Sequence, residues 1–326
     1  MNNGICVFAE NFGGELAPSV SELLTAAYTL KKITGEKVKA LLISDKCEQL
    51  EKELTALGAE DIIAFNSEKD MFMQDDVLSK IVSDMISKVS PSTVLVPATT
   101  VGRSIFSAVA VKLNCGLTAD CTELLAEKSS DGSFYIKQNK PSFGENVMVT
   151  IITKPEMPPQ IMTVRPGVYL PMEKNYELRS NVIHMDDLEY PKSKIEVLDI
   201  SKAPAETDNI MAAEVIVAGG RGVLEDNNFE LMNKFADSIG AAVGGTRPLA
   251  DSGKIPFEHQ IGQTGCTVRP KILISLGASG AIQHTEGIKD TKLMIAVNKD
   301  ENAPIFNVAD YGLVCDMKDL LENFLK

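Results

Sequence analysis

The sequence is poor in the residue patterns that hold metal ions. No two cysteines are spaced as CxxC, and the three histidines form no HxxxH pair. The six cysteines are scattered along the chain at Cys6, Cys47, Cys115, Cys121, Cys266 and Cys315. Because zinc and iron–sulfur sites need closely spaced ligands, no metal site is expected. Cysteines without such spacing predict reduced, mostly buried thiols, as in a cytosolic protein.

Basic residues and long apolar stretches are also scarce. The chain has 45 acidic and 32 basic residues, which gives a net charge of −13. Phosphate backbones repel such a chain, so nucleic-acid binding is not expected. No apolar segment approaches the length of a membrane helix, and the apolar run near Met1 is too short for a signal peptide and follows no basic region. We therefore expect a cytoplasmic protein without membrane insertion.

The first half of the chain alternates short apolar runs with segments of helical periodicity. Four runs predict strands: GICVFAE, KVKALLIS, DIIAFN and STVLVPA. Helices are predicted after them, at 19–35, 46–57, 75–89 and 104–113. Ser19 and Glu22 have the spacing of a capping box, and Gly35 is placed to end the first helix. This alternation predicts an α/β fold with a doubly wound, mostly parallel sheet.

The pattern changes after residue 113. The runs CTELLAE, SFYIKQ and NVMVTIIT are separated by turn residues and predict antiparallel strands added at an edge of the sheet. The segment 173–208 is polar and lacks periodicity, which is typical of a linker. At 326 residues the chain is long for one core. We expect an N-terminal α/β domain over 1–204 and a C-terminal Rossmann-like α/β domain over 205–326.

The last third carries four apolar runs that end in glycine or small polar residues. They read EVIVAGGRG, AAVGGTRP, ILISLGASGAIQH and LMIAVNKD. Continuous Val, Ile and Leu predict strands buried on both faces of a parallel sheet. Ligands of such sheets bind at the carboxyl ends of the strands, where Arg221, Arg247 and His284 follow three of the runs. The pattern indicates a nucleotide or dinucleotide site.

Each motif taken alone has a structural explanation as well as a functional one. GGRG is either a phosphate-binding turn or a tight turn with a solvated Arg221. The loop 261–265 offers the Gln263 amide and the Thr264 hydroxyl to a heterocycle, or it is a surface loop. GASGAIQH offers helix N-terminal amides to a pyrophosphate. His284 within it is either a ligand-binding residue or a capping or packing residue.

The motifs together resemble a known family. GGRG, GGTRPLAD, IGQTG, GASGAIQH, AVNKD and PIFNVADYGLV occur here in the order and spacing of the α subunit of electron transfer flavoprotein, of the type found in bacteria and anaerobes. PATTVGR, GLTADCTEL and TVRPG extend the resemblance over most of the chain. The resemblance implies that the C-terminal domain holds one FAD.

The resemblance also implies roles for single residues. Arg221 would contact the phosphate or ribose region of FAD, Arg247 the isoalloxazine ring, and His284 its N1 and C2-carbonyl side. Gln263 and Thr264 would lie near N5. The residues 279–283 would cradle the pyrophosphate, and Asn298 and Asp316 would bind the adenosine half. The complete implied set is Arg221, Thr246, Arg247, Ile261, Gly262, Gln263, Thr264, Ser279, Gly280, Ala281, Ile282, Gln283, His284, Asn298, Asp316 and Met317. Thr246 stands where many relatives have serine. No catalytic residue and no metal ligand is implied.

As a member of this family the chain would be a redox carrier that is catalytic only within a heterodimeric complex. A β subunit would complete the heterodimer and hold AMP or a second FAD. Expected partners are an acyl-CoA or related dehydrogenase, and ferredoxin or flavodoxin as electron acceptors. Electron bifurcation with NADH is a variant of this role. The alternative is a nicotinamide- or nucleotide-dependent enzyme, transhydrogenase-like or deoxyhypusine-synthase-like, with Lys299 or Asp251 as its reactive group. A nucleotide-sensing scaffold is a third reading.

Overall fold

The chain divides into two compact units, Met1–Ser201 and Lys202–Lys326. A computed structural model describes residues 4–67, 71–129, 132, 134–142, 147–153, 157–200 and 210–326. Each unit is built around a parallel β-sheet of its own.

The first unit contains a seven-stranded sheet in which every described strand pair is parallel. Its elements, in chain order, are β1 Ile5–Phe8, β2 Asn11–Phe12, β3 Glu15–Leu16, α1 Ser19–Thr34, β4 Val38–Ser44, α2 Cys47–Ala56, β5 Asp61–Asn66, a 3₁₀ turn Met71–Met73, α3 Asp75–Val89, β6 Thr93–Pro97, α4 Thr100–Leu113, β7 Leu117–Cys121, β8 Glu123–Lys128, β9 Phe134–Pro141, β10 Met148–Ile152, β11 Gln160–Val164 and β12 Asn181–His184. The strand order is β12-β5-β4-β1-β6-β11-β7. The predicted doubly wound parallel sheet is confirmed.

Two apolar cores, one on each face, hold this sheet. Successive side chains of a strand point to opposite faces, so Ile5 and Val7 of β1 pack in one core while Cys6 and Phe8 pack in the other. This explains why the strand sequences are continuous apolar runs and do not alternate with polar residues. Each fully buried large side chain contributes about 1.5–3 kcal/mol of transfer free energy.

The predicted capping box at the first helix is wrong. The N-cap of α1 is Pro18, which has no side-chain cap, and Ser19 is already the first helical residue. The Glu22 carboxylate instead accepts a hydrogen bond from the backbone N–H of Gly167 at 2.7 Å. The predicted end of the helix is confirmed, because Gly35 adopts a left-handed conformation and donates its N–H to the Lys31 carbonyl.

The three strands predicted as antiparallel are antiparallel but do not extend the main sheet. β8, β9 and β10 form a separate three-stranded sheet in the order β10-β9-β8. Leu124, Ile136 and Gln138 are buried on one face of this sheet. Leu125, Met148 and Ile152 are between 43% and 48% exposed.

Part of the segment predicted as a linker is a strand. β12, at Asn181–His184, pairs in parallel with β5 and forms an edge of the main sheet. Met185, which follows it, is buried, and Ser193 donates a hydrogen bond to Asp76 at 2.8 Å. The residues 201–209, which include the predicted domain boundary, lie outside the described residues.

The second unit contains a five-stranded parallel sheet in the order β14-β13-β15-β16-β17. Its elements are a 3₁₀ turn Ile210–Ala212, β13 Val215–Gly219, a 3₁₀ turn Arg221–Leu224, α5 Asn228–Ile239, β14 Ala242–Gly245, α6 Arg247–Asp251, a 3₁₀ turn Phe257–His259, β15 Ile272–Leu276, α7 Ile282–Thr285, β16 Met294–Asn298, a 3₁₀ turn Pro304–Asn307, β17 Tyr311–Val314 and α8 Met317–Phe324. The four predicted strands are β13 to β16. β17 is an additional edge strand, and its side chains are exposed.

The second sheet is also covered on both faces. Val217 of β13 packs in one core with Met232 of α5, whereas Ile216 packs in the other core with Leu273. The expected C-terminal α/β fold is therefore observed. Within the described part of the chain, no helix is both long enough and apolar enough to cross a membrane.

Candidate functional site

The second unit contains a cleft of about 490 Å³ at the carboxyl ends of its parallel strands. The residues that line it are Arg221, Thr246, Arg247, Pro248, Gln260, Ile261, Gly262, Thr264, Gly277, Ala278, Ser279, Gly280, Ala281, Gln283, His284, Asn298, Asp300, Ala303 and Pro304. Arg221, Thr246 and Ala278 follow β13, β14 and β15 closely, and Asn298 ends β16. Four successive strand ends therefore contribute to one cavity.

The position of the cleft follows from the strand order. From β13 the chain passes to β14 on one side of the sheet, and β15 then lies on the other side of β13. The two connections leave the β13/β15 boundary in opposite directions, which opens a crevice beyond the carboxyl ends of these strands. Open α/β sheets bind ligands at such a reversal of strand order.

Most of the residues implied by the resemblance line this cleft. Four do not: Gln263, Ile282, Asp316 and Met317. Gln263 donates its backbone N–H to the Gln283 carbonyl at 2.6 Å. Asp316 is the N-cap of α8 and accepts the backbone N–H of Lys318, and Met317 is buried in the core beside it. Their contact with a ligand stays a prediction.

Glycines allow the walls of the cleft to come together. Gly280 has a φ of +86°, and a Cβ there would lie 2.1 Å from the backbone nitrogen of Ile305. Gly262 has a φ of +142°, and a Cβ there would lie 2.3 Å from the Gln283 carbonyl oxygen. A side chain at either position would strain the backbone and displace a wall of the cleft.

The segment after β15 supplies backbone donors. The N–H groups of Ser279, Gly280 and Ala281 donate to no group in the part of the chain that the structure describes. The helix that follows, α7, has only four residues, so its dipole is small. The phosphate-binding potential of this segment therefore rests on the loop amides more than on a helix N-terminus.

The loop from Gln260 to Cys266 forms the opposite wall and is closed by backbone hydrogen bonds. Cys266 N–H donates to the Gln260 carbonyl at 2.8 Å, and Gly262 N–H donates to the Cys266 carbonyl at 3.0 Å. Within the loop, the Gln260 side-chain amide donates to the Thr264 hydroxyl at 2.8 Å. The loop therefore presents Thr264 from a fixed backbone.

Three buried polar atoms without hydrogen-bond partners belong to residues of the cleft. They are Thr246 Oγ1, Gln260 Oε1 and His284 Nε2, which pair with nothing in the described ranges. A buried polar group that stays unpaired costs about 1–3 kcal/mol. Three such atoms around one cavity indicate that the cavity is built for a polar ligand.

His284 is 5% exposed, and its Nδ1 lies 3.0 Å from the Ile261 carbonyl oxygen. A carbonyl only accepts hydrogen bonds, so Nδ1 carries the proton and Nε2 of the neutral ring is an acceptor. Burial lowers the pKa of His284 below its ordinary value, and the hydrogen bond to Ile261 only partly opposes this. His284 without a ligand is therefore neutral at pH 7.

Two arginines give the cleft positive charge. Arg221 is exposed beside the first strand end, and the Arg247 side chain is 66% exposed. Arg247 Nε lies 3.4 Å from Asp251, an ion pair on the surface that solvent screens. Both guanidinium groups are therefore available to an anionic ligand at little cost.

The residues of the alternative enzymatic reading are not brought into the cleft. Lys299 pairs with Glu225 at 3.2 Å, and both side chains are more than 60% exposed. Asp251 is 61% exposed and pairs with Arg247. Neither residue lines the cavity.

Several lining residues were not among the site residues implied by the resemblance, although Pro248, Asp300 and Pro304 lie within its motifs. Pro248, Asp300, Ala303 and Pro304 reach the cleft because they lie two to six residues beyond a strand end. Gln260 is the most informative of the missed residues, since it is 1% exposed. Its position before the IGQTG motif was the only available hint.

Comparison with known proteins gives two family models that match the chain. The electron transfer flavoprotein domain matches residues 5–188. The electron transfer flavoprotein FAD-binding domain matches residues 209–289, which include most of the cleft.

Similar proteins cover nearly the whole chain. The electron transfer flavoprotein subunit alpha of Megasphaera elsdenii is 38% identical over 98% of this chain and 94% of its own length. The acryloyl-CoA reductase electron transfer subunit beta of Anaerotignum propionicum is 36% identical over 96% of this chain and 92% of its own. The lactate dehydrogenase (NAD(+),ferredoxin) subunit LctC of Acetobacterium woodii is 37% identical over 99% of this chain and 76% of its own.

Among solved structures, a thiamin diphosphate-dependent enzyme from Mycobacterium smegmatis aligns with 98% of this chain at 13% identity. This chain covers 59% of that protein, and the TM-score is 0.25. A similarity this weak has no bearing on the fold or the function of the chain.

Proposed function

The chain belongs to the electron transfer flavoprotein α-subunit family, and from that premise we propose that the cleft of its second unit holds FAD. The family role is electron transfer, and FAD supplies one- and two-electron redox chemistry when bound. The residues present suit a flavin dinucleotide. The single observation that carries the proposal is the set of unpaired buried atoms Thr246 Oγ1, Gln260 Oε1 and His284 Nε2 around one cavity.

The two halves of the dinucleotide would meet different chemistry. The free amides of Ser279, Gly280 and Ala281 suit the pyrophosphate, because backbone N–H groups stabilise negative oxygens without losing side-chain entropy. Arg221 adds charge to that region. Asn298, whose amide donates to the Ala278 carbonyl at 2.9 Å, lies at the end of β16, where the adenosine half is expected.

Arg247 and His284 would set the electrostatics around the flavin ring. Arg247 stays cationic at any physiological pH and favours a ring that has gained negative charge. His284 Nε2 is an acceptor in the neutral ring and becomes a donor only when it binds a proton. Negative charge in the cleft would raise the proton affinity of Nε2, so we propose that His284 takes up a proton when the flavin is reduced.

A β subunit is the expected partner, since α subunits of this family work with one. We propose that it completes a heterodimer and supplies AMP or a second FAD. The names of two relatives, an acryloyl-CoA reductase subunit and a lactate dehydrogenase subunit that uses NAD⁺ and ferredoxin, support an acyl-CoA or related dehydrogenase as electron donor or acceptor. The second name also favours electron bifurcation with NADH and ferredoxin.

The exposure of Lys299 and Asp251 argues against a nicotinamide-dependent enzyme. A reactive lysine or carboxylate needs partial burial to shift its pKa toward neutrality. Both side chains are more than 60% exposed and paired on the surface.

The test replaces the Thr246 hydroxyl by a methyl group. Thr246→Val removes an unpaired buried oxygen, so we expect the FAD-free protein to be as stable as the unaltered protein or more stable. FAD should bind about tenfold more weakly, because the ligand loses one hydrogen bond. Thr267→Val is the matched control, since Thr267 Oγ1 is also buried and unpaired but does not line the cleft.

The measurement is a titration of the FAD-free chain, co-purified with its β subunit, with FAD. Binding is followed by the absorbance and fluorescence of FAD. Weaker FAD binding in Thr246→Val and unchanged binding in Thr267→Val would support the site. Equal affinity in both variants would contradict the site, and absence of bound FAD in the unaltered protein would overturn the proposed function.

A second FAD in the heterodimer, reducible by NADH, would support bifurcation; a single FAD inert to NADH would contradict it.

A further inference from the structure

Gln260 is a buried amide in the wall of the cleft, and it is hydrogen-bonded to a neighbouring side chain of the same wall. It is 1% exposed, and its Nε2 donates a hydrogen bond to Thr264 Oγ1 over 2.8 Å. Its Oε1 is buried and has no partner among the described residues. Both residues line the cleft. An amide that satisfies a neighbour while one of its own atoms stays unpaired is typical of a polar network that a ligand completes.

The backbone of this loop is held by hydrogen bonds and close packing. Gln260 N–H donates to the Phe257 carbonyl at 3.0 Å, and Ile261 N–H donates to the Gly245 carbonyl at 2.8 Å. Gly265 packs so closely that a Cβ there would lie 1.9 Å from the Gln260 carbonyl oxygen. The loop thus fixes the backbone positions of Gln260 and Thr264 relative to each other.

The direction of the bond determines what the hydroxyl can do. A threonine hydroxyl has one proton to donate and two lone pairs to accept with. Since the Gln260 N–H occupies a lone pair of Thr264 Oγ1, the hydroxyl proton is left for another acceptor. Thr264 is exposed and lines the cleft, so its hydroxyl proton is available to a ligand there.

We propose that Gln260 is a positioning residue that holds the Thr264 hydroxyl as a hydrogen-bond donor to the flavin ring. The inference rests on the proposed function, because it needs FAD in the cleft. A donor binds a ring that has gained an electron more strongly than the neutral ring, since the bond becomes charge-assisted. Gln260 therefore raises, through Thr264, the potential at which the flavin accepts its first electron.

The hydrogen bond itself is tested without FAD. In the FAD-free protein labelled with ¹⁵N-glutamine, the Gln260 side-chain amide protons are assigned from their loss in Gln260→Met. We expect one of them to move upfield in Thr264→Val, which removes the acceptor on an exposed side chain and leaves the fold intact. Unchanged Gln260 amide shifts in Thr264→Val would overturn the proposal.

The effect on the flavin is tested by a double-mutant cycle in the FAD-loaded heterodimer. Gln260→Met keeps the length of the side chain and removes the amide. We expect the equilibrium constant for uptake of the first electron to fall about tenfold, which is about 59 mV for a one-electron couple. If Gln260 acts through Thr264, adding Gln260→Met to the variant Thr264→Val should shift the flavin potential much less than adding it to the unaltered protein.

Gln138→Met is the matched control. Gln138 is fully buried in the first unit, its Nε2 donates to the Thr153 hydroxyl at 3.2 Å, and its Oε1 is likewise unpaired. Gln138→Met should leave the flavin potential unchanged.

If Gln260→Met binds FAD with an unaltered potential, the positioning role is overturned while the FAD site stands. If Gln260→Met shifts the potential equally with and without the Thr264 hydroxyl, the amide acts directly and the role assigned here is wrong.

Discussion

Asp120 and Arg165 form a two-point ion pair in the first unit: Arg165 Nε donates to Asp120 Oδ1 at 3.1 Å, and Nη2 donates to Oδ2 at 2.5 Å. Asp120 has a φ of +65°, which an aspartate tolerates better than most residues. Its backbone N–H donates to the Thr163 hydroxyl at 2.8 Å. The pair joins the GLTADC and TVRPG motifs at the ends of neighbouring strands, and therefore gives these two motifs a structural role.

Asp120→Asn should destabilise the first unit by about 3 kcal/mol. The Arg165 side chain is 7% exposed, so removal of the negative charge leaves a buried cation without its counterion. Asparagine also adopts positive φ, which keeps backbone strain out of the comparison. The measurement is urea unfolding followed by circular dichroism. Arg103→Ala removes a 54% exposed partner of the same carboxylate and should lower the free energy of unfolding by no more than about 1 kcal/mol. Similar costs for both variants would contradict the buried pair.

Without FAD, the second unit should lose stability as the pH falls below about 6.5. Burial lowers the pKa of His284, so between the lowered and the ordinary pKa the unfolded chain binds a proton at this residue and the folded chain does not. The contribution of neutral His284 to the free energy of unfolding is fully present above the ordinary histidine pKa. It is lost as the pH falls toward the lowered pKa, and the free energy of unfolding then decreases by at most about 1.4 kcal/mol per pH unit. His284→Asn should remove this part of the dependence, measured as urea midpoints at pH 7.5 and 5.5. An equal loss on acidification in the variant would exclude His284 as its source.

Arg247→Ala should weaken FAD binding and lower the potential of the flavin's first electron. The side chain is 66% exposed, so the folded protein should keep its stability within about 0.5 kcal/mol. Arg179→Ala, at another exposed arginine, is the control. Potentials are read by stepwise reduction followed by absorbance. A potential equal to that of the unaltered protein would show that Arg247 does not act on the ring.

Gly280→Ala should abolish FAD binding, because its Cβ would lie 2.1 Å from Ile305 N and displace a wall of the cleft. Gly253→Ala isolates the cost of positive φ alone, since Gly253 has a φ of +70° and nothing within 4 Å of an added Cβ. That cost is about 1–2 kcal/mol. Urea unfolding and FAD titration of both variants make the comparison. Retained FAD binding in Gly280→Ala would show that the loop can move aside.

Strands buried on both faces could be predicted from the sequence, because such strands consist of continuous apolar residues. β1, β4 and β13 carry such runs, and the turns that follow β13 to β16 located the cleft. β12 carries no such run. It is an edge strand whose residues are mostly exposed, and its partner strand is distant in the chain.

The role of Gln260 could not be predicted for a related reason. A lone glutamine in a loop has no periodicity, and its meaning depends on burial and on the Thr264 hydroxyl four residues later. The capping box at Ser19 failed because Glu22 contacts Gly167, a residue that no local rule connects to it. Local patterns predict elements, whereas pairing between distant segments decides what single polar residues do.

The pairing of β12 with β5 also sets a schedule for biosynthesis. Asn181 lies opposite Asp61, so the strand that covers one edge of the first sheet is translated about 120 residues after its neighbour. At about 5–20 residues per second, the ribosome needs roughly 6–24 s to deliver it. Throughout that interval β5, with its apolar Ile62, Ile63 and Phe65, presents an unpaired edge to other nascent chains. In the second sheet each new strand pairs with an earlier one. We therefore expect the first unit to depend more than the second on protection by chaperones during synthesis.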